Sequence, residues 1–114
     1  MSFSVSSSVP LPRIGSPHLL SDLDLTSEEL QTLLKLAHDV KASPGSYASV
    51  LAQRYIALVF EKPSLRTRVT FEVAIKQLGG DSIYLDQRED RIGEREPARD
   101  MARNLDRWVD AVVA

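Results

Sequence analysis

The sequence predicts an α/β fold, a parallel sheet flanked by helices in three layers. Three observations predict it. The segment Tyr55 to Phe60, YIALVF, is a short apolar run rich in β-formers, as expected of a strand covered on both faces. Apolar residues recur at helical spacing before and after it, and two further short β-forming segments come later in the chain. Strand, helix, strand, helix, strand is the alternation that right-handed crossovers turn into a parallel sheet.

Taken in order, residues 1–17 (MSFSVSSSVPLPRIGSP) are rich in serine and proline and contain no acid. A transit segment would share that bias, but Arg13 is its only basic residue and it has no apolar core of signal-peptide length. A disordered lead is the expectation for 1–17, with the folded domain over 18–114. Thr26 and Glu29 have the spacing of a capping box, and Leu30, Leu33, Leu34, Ala37 and Val40 follow at helical intervals. This predicts a helix with one buried face, ending before Ser43, Pro44 and Gly45.

The YIALVF strand ends at Glu61, Lys62 and Pro63. Phe71, Ala74, Ile75 and Leu78 then mark a second helix, stopped by Gly79 and Gly80. Ser82 to Leu85 reads as a second strand, and DQREDRIGERE as a charged loop of the solvated kind. Ala98, Met101, Ala102, Leu105, Trp108 and Val109 repeat at threes and fours, which predicts a third helix. The final DAVVA has the look of a third strand just begun. Natural domain boundaries usually fall in exposed polar linkers, so this ending predicts an incomplete domain.

Composition limits what such a domain can do. At 114 residues there is room for one modest core, and no apolar run approaches the length of a membrane span. Fourteen basic residues against sixteen acidic ones, a net charge of -2, create no global field to recruit nucleic acid or an anionic membrane. Any anion site must be local. The absence of cysteine removes disulfides, thiolate nucleophiles and cysteine-ligated metals, and fits a reducing compartment. His18 and His38, the two histidines, are too far apart in sequence for a metal-ligand pair, so no metal is expected.

The unusual stretch is Lys62-Pro63-Ser64-Leu65-Arg66-Thr67-Arg68, where a strand hands over to a helix. Ligands of open α/β sheets bind at the carboxyl ends of the strands. Ser64 is a good N-cap, and the amides of Leu65, Arg66 and Thr67 would point outward without helical partners, an arrangement that attracts phosphate. Cations are disfavoured near a helix N-terminus, yet Lys62, Arg66 and Arg68 crowd this one. A bound anion would resolve that conflict, held by free amides, the hydroxyls of Ser64 and Thr67, and a guanidinium. Arg66 and Arg68 stand on nearly opposite helix faces, so one ligand is not expected to touch both. The plain alternative is an exposed turn whose arginines pair with Glu61 or Glu72. Neither a nucleotide P-loop nor a GxGxxG dinucleotide fingerprint is present.

The run FEKPSLRTRVTFEVAIKQLGG resembles the signature of the carbamoyltransferases, whose usual form is S-T-R-T-R before a phenylalanine-glutamate pair. The continuation IYLDQREDRIGEREPARDMARNLDRWVDAVVA is similar to the ornithine enzymes in particular. The resemblance implies that Ser64, Leu65 through its amide, Arg66 and Thr67 hold the phosphate of carbamoyl phosphate. It also implies that Arg66 is catalytic: amine attack on the carbamoyl carbon places negative charge on the carbamoyl oxygen, and a fixed cation stabilises that charge as it develops. Arg68 matches the family's second arginine, expected to be structural. Leu65 departs from the usual threonine, a change tolerable where the backbone does the binding. Arg91 marks a second departure: near it the ornithine enzymes often carry glutamine, in a loop that reaches the carbamoyl-phosphate site of a neighbouring subunit.

The activity implied by the resemblance is that of a transferase making citrulline and phosphate from carbamoyl phosphate and ornithine, a step of arginine biosynthesis or the urea cycle. Neither cofactor nor metal is expected. The enzyme would be cytoplasmic and a homo-trimer or higher, with its acceptor-binding half beyond this chain. Two alternatives stay open: another acceptor, such as aspartate or an acylated ornithine, and a non-catalytic anion-binding or oligomerisation module.

Overall fold

The computed structural model describes residues 9–61, 64–86 and 98–114. The chain divides between Ala48 and Ser49 into two compact units.

The first unit carries helix α1 (Ser27–Ala42). Its start is fixed by the predicted capping box: Glu29 N donates to Thr26 Oγ1 at 3.0 Å, and Thr26 N donates to Glu29 Oε1 at 2.9 Å. Gly15 N adds a bond of 2.7 Å to Glu29 Oε2. The amide of Thr26, then that of Gly15, holds the Glu29 carboxyl below its usual range. The helix ends where expected, before Ser43, and a short 3-10 turn over Pro44–Tyr47 comes next, in which Tyr47 is buried. One expectation fails. α1 buries no residue; Leu33 and Val40 are half-buried, while Leu30 and Leu34 stay 48% and 57% exposed. Helical periodicity shows which face is apolar and is silent on what covers it.

The second unit alternates strand and helix: β1 (Tyr55–Phe60), α2 (Leu65–Gln77), β2 (Asp81–Asp86), α3 (Ala98–Trp108) and β3 (Ala111–Val113). The sheet is wholly parallel, in the order β2-β1-β3. Its α/β class and flanking helices are as the sequence predicts. β1 pairs with β2 from Tyr55↔Asp81 to Phe60↔Asp86, and with β3 from Ile56↔Ala111 to Leu58↔Val113. Ala57 and Leu58 are adjacent on this central strand and point to opposite faces, and both are fully buried, so both faces of the sheet are covered at this point. Ile75 of α2 and Leu105 of α3 complete the buried apolar set in this unit.

The amino end of the sheet is tightly tied. Asp110 N donates to Tyr55 O at 2.8 Å, and Asp110 Oδ2 accepts Tyr55 N at 2.8 Å, while its Oδ1 meets Arg54 Nη1 at 3.1 Å. These donors, the Tyr55 amide foremost, depress the Asp110 carboxyl below its usual range. The predicted glycine stop also has a double reason. Gly79 takes φ 89°, the left-handed region that ends helices, and at Gly80 a side chain would crowd its neighbours. A Cβ at position 80 would lie 3.0 Å from Leu51 Cβ and 3.2 Å from Leu51 O. Among the described residues no helix is long and apolar enough to cross a membrane.

Candidate functional site

From β1 the chain crosses to β2 on one side, then returns past β1 to β3 on the other. Ligands of open α/β sheets bind outside the carboxyl ends of the strands where the order reverses in this way. The structure has an open cavity there, of about 400 Å³, lined by Val59, Phe60, Glu61, Ser64, Thr67 and Ala114. Val59 and Phe60 end β1, Ala114 directly succeeds β3, and Ser64 and Thr67 form the start of α2.

The start of α2 is built by Ser64, which has extended dihedrals and accepts the amide of Thr67 on Oγ at 3.3 Å. Ser64 Oγ in turn donates to Thr67 Oγ1 at 3.1 Å, so the two hydroxyls are already side by side. Regular i to i−4 bonding begins with Arg68 N on Ser64 O at 2.9 Å. The amides of Leu65 and Arg66 therefore precede the ladder and have no acceptor among the described residues. The structure refines the expectation of three outward amides: the cap hydroxyl takes that of Thr67 through a long bond, leaving two.

The structure brings Ser64 and Thr67 together at the cavity. Leu65 and Arg66 sit on the same helical turn without lining it, and Leu65 is 79% exposed. The exposed Arg66 guanidinium has no hydrogen-bond or ion-pair partner among the described residues. Arg68 is committed elsewhere, as expected of a structural arginine: its Nε lies 3.4 Å from Glu72 Oε1 and its Cζ 3.9 Å from the Tyr84 ring centroid. The plain alternative of arginines paired with acids thus describes Arg68 and not Arg66. Lys62 and Arg91 lie outside the described residues.

Sequence reasoning missed the other walls of the cavity. Ala114 gave no chemical signal; only its place after a parallel strand could have marked it. Glu61 introduces a charge of the sign that opposes an anion. The aromatic set behind the site was also unforeseen: Phe60 packs on Phe71 at 6.0 Å and on Tyr84 at 6.4 Å between centroids.

Comparison with known proteins places this arrangement. Residues 17–114 match the family described as aspartate/ornithine carbamoyltransferase, carbamoyl-P binding domain. An ornithine carbamoyltransferase of Vibrio sp. (strain 2693) is 50% identical over 97 residues, covering 85% of this chain and 32% of that protein. The chain thus spans about a third of the length of such relatives. The solved ornithine carbamoyltransferase of Pyrococcus furiosus superposes with a TM-score of 0.77 at 41% identity, covering 82% of this chain and 31% of the other. The aspartate transcarbamoylase catalytic subunit of M. jannaschii superposes at 0.72 and 31% identity, covering 83% and 32%. With the family match spanning nearly the whole chain and relatives at half identity, this chain belongs to the aspartate/ornithine carbamoyltransferases and carries their carbamoyl-phosphate-binding domain.

Proposed function

We propose that this chain supplies the carbamoyl-phosphate site of an enzyme that carbamoylates ornithine, giving citrulline and phosphate. The observation that carries the proposal is the cavity at the carboxyl ends of β1 and β3, walled by the capped start of α2 with Ser64 and Thr67 inside it. Phosphate oxygens would take hydrogen bonds from both hydroxyls and from the Leu65 and Arg66 amides, at the positive end of the helix. Accepting them means exchanging the Ser64–Thr67 hydroxyl contact for bonds to the ligand, which are stronger because the acceptor is charged.

Arg66 is assigned the catalytic role. The acceptor amine attacks the carbamoyl carbon, charge builds on the carbamoyl oxygen, the bond from carbon to the phosphate oxygen breaks, and the amine's proton passes to the departing phosphate. The Arg66 guanidinium near that oxygen stabilises the charge and, with the hydroxyls and amides of the helix start, holds the departing phosphate. Positioning supplies much of the remaining acceleration. In this reading Arg91 reaches the site of a neighbouring subunit in a trimer, residues 1–17 are a lead that takes no part in the chemistry, and the enzyme works in the cytoplasm.

The ornithine acceptor rests on the naming of the similar relatives. An aspartate acceptor is the second reading, favoured by the likeness to the M. jannaschii protein, because a shared donor domain leaves the acceptor to other parts of the enzyme. The test is an assay of the product of the complete reading frame with carbamoyl phosphate and either ornithine or aspartate. Citrulline is expected from ornithine, with Arg66→Ala lowering kcat by about 100-fold to 1,000-fold while the protein stays folded. Carbamoylaspartate instead would transfer the assignment to the second reading. Phosphate binding without turnover of either acceptor would favour a non-catalytic anion-binding module.

A further inference from the structure

We propose that Arg68 is a positioning residue for the anion site, acting through the Tyr84 ring rather than on the ligand. This rests on the carbamoyl-phosphate reading above and deepens it. The motif holds two arginines separated by two positions, which is about 200° around an α-helix. The Arg68 side has contacts: the guanidinium lies 3.9 Å from the centroid of Tyr84 on β2, with Nε 3.4 Å from Glu72 Oε1. That ring leans on Phe60 of β1, and Phe60 leans on Phe71, which returns to α2 one turn beyond Arg68. Arg68 and Phe71 therefore grip the ends of β1 and β2 from a single helix face.

The grip sits where the site needs it. Phe60 lines the cavity, and Arg68 N makes the first regular helical bond, to Ser64 O. Holding Arg68 on Tyr84 fixes the turn that carries Ser64, Arg66 and Thr67 against the strand ends. It also keeps a second cation near a helix N-terminus, where it is disfavoured, by giving it an aromatic face and a carboxylate. Arg66 is thereby left without a competing partner among the described residues.

The experiment measures the dissociation constant of inorganic phosphate for variants of the product of the complete reading frame. Arg68→Met keeps the stem and loses the charge, while Tyr84→Leu removes the ring without changing charge. Each is expected to weaken phosphate by about tenfold, with the double variant no weaker than either single one. Tyr84→Phe keeps the ring and should bind as the parent does, and Arg68→Lys should recover part of the loss. Should Arg68→Met fail to fold, Glu72→Gln, which loosens the same guanidinium, should still weaken phosphate, by about threefold. Unchanged affinity in Tyr84→Leu, or fully additive losses in the double variant, would overturn the proposal. Arg66→Ala serves as the control for the site itself. If it leaves phosphate binding intact, the carbamoyl-phosphate reading fails; if it abolishes binding while Tyr84→Leu is silent, only the positioning role fails.

Discussion

At the amino end of the sheet, backbone and side-chain donors find close acceptors: Tyr55 with Asp110 in both directions, Asp81 N on Arg54 O at 3.0 Å, Leu51 N on Leu78 O at 2.8 Å. At the carboxyl end of the same strands lies a cavity, with two helix-start amides that lack acceptors among the described residues. The difference teaches how labour is divided in this unit. Groups that meet one another stabilise the fold, and groups left unmet are available to a ligand. Substitutions at the tied end should therefore change stability with little effect on binding, and those at the open end should do the reverse.

The sharpest break of the comparison comes from between the two ends. Leu58 is fully buried on the central strand, and Leu58→Ala should cost about 2–5 kcal/mol, read by denaturant unfolding as a lower midpoint at unchanged slope. At the tied end, Gly80→Ala should cost about 1–3 kcal/mol, because its new methyl must displace Leu51 and a backbone oxygen that already accepts Arg54 N at 3.0 Å. Phosphate affinity should be preserved in the folded fraction of that variant. A loss of affinity as large as the loss of stability would show that the two ends are coupled.

A subtler test uses pH. The Asp110 carboxyl is depressed in the fold by the Tyr55 amide and by Arg54, so the folded state binds fewer protons than the unfolded chain in the acid range. Its contribution is present above the unfolded value, about 3.9, and is lost as pH falls through the lower folded value. Asp110→Asn should flatten the acid limb of the stability curve and leave the neutral region less altered. The group is exposed and its pairing with Arg54 is solvated, so this is the smallest of the effects.

Much of the fold could be read from residue order, because its signals are local. The Thr26–Glu29 box, the YIALVF run and the Gly79-Gly80 stop each act over a few positions, and the corresponding boundaries agree with the structure. Less was legible where meaning depends on partners distant in sequence. The strand order could not be read, since alternation predicts parallel pairing without saying on which side of β1 each strand adds. The apolar stripe of α1 announced a face and not its cover. Arg68 and Tyr84 meet across 16 positions only because β2 lies in register with β1, and Arg54 meets Asp110 across 56. Ser64 and Thr67 were legible as site residues because capping is local chemistry; the cavity they line required β3.

The central claim, that the start of α2 is an anion site, is tested most directly by titrating this chain with inorganic phosphate and following its amide resonances. Shifts confined to Ser64 through Thr67, largest at the Leu65 and Arg66 amides, with Tyr55, Gly80 and Asp110 unmoved, are the expected result. Silence at Leu65 and Arg66 up to tens of millimolar phosphate, or shifts centred on the tied end of the sheet, would contradict it.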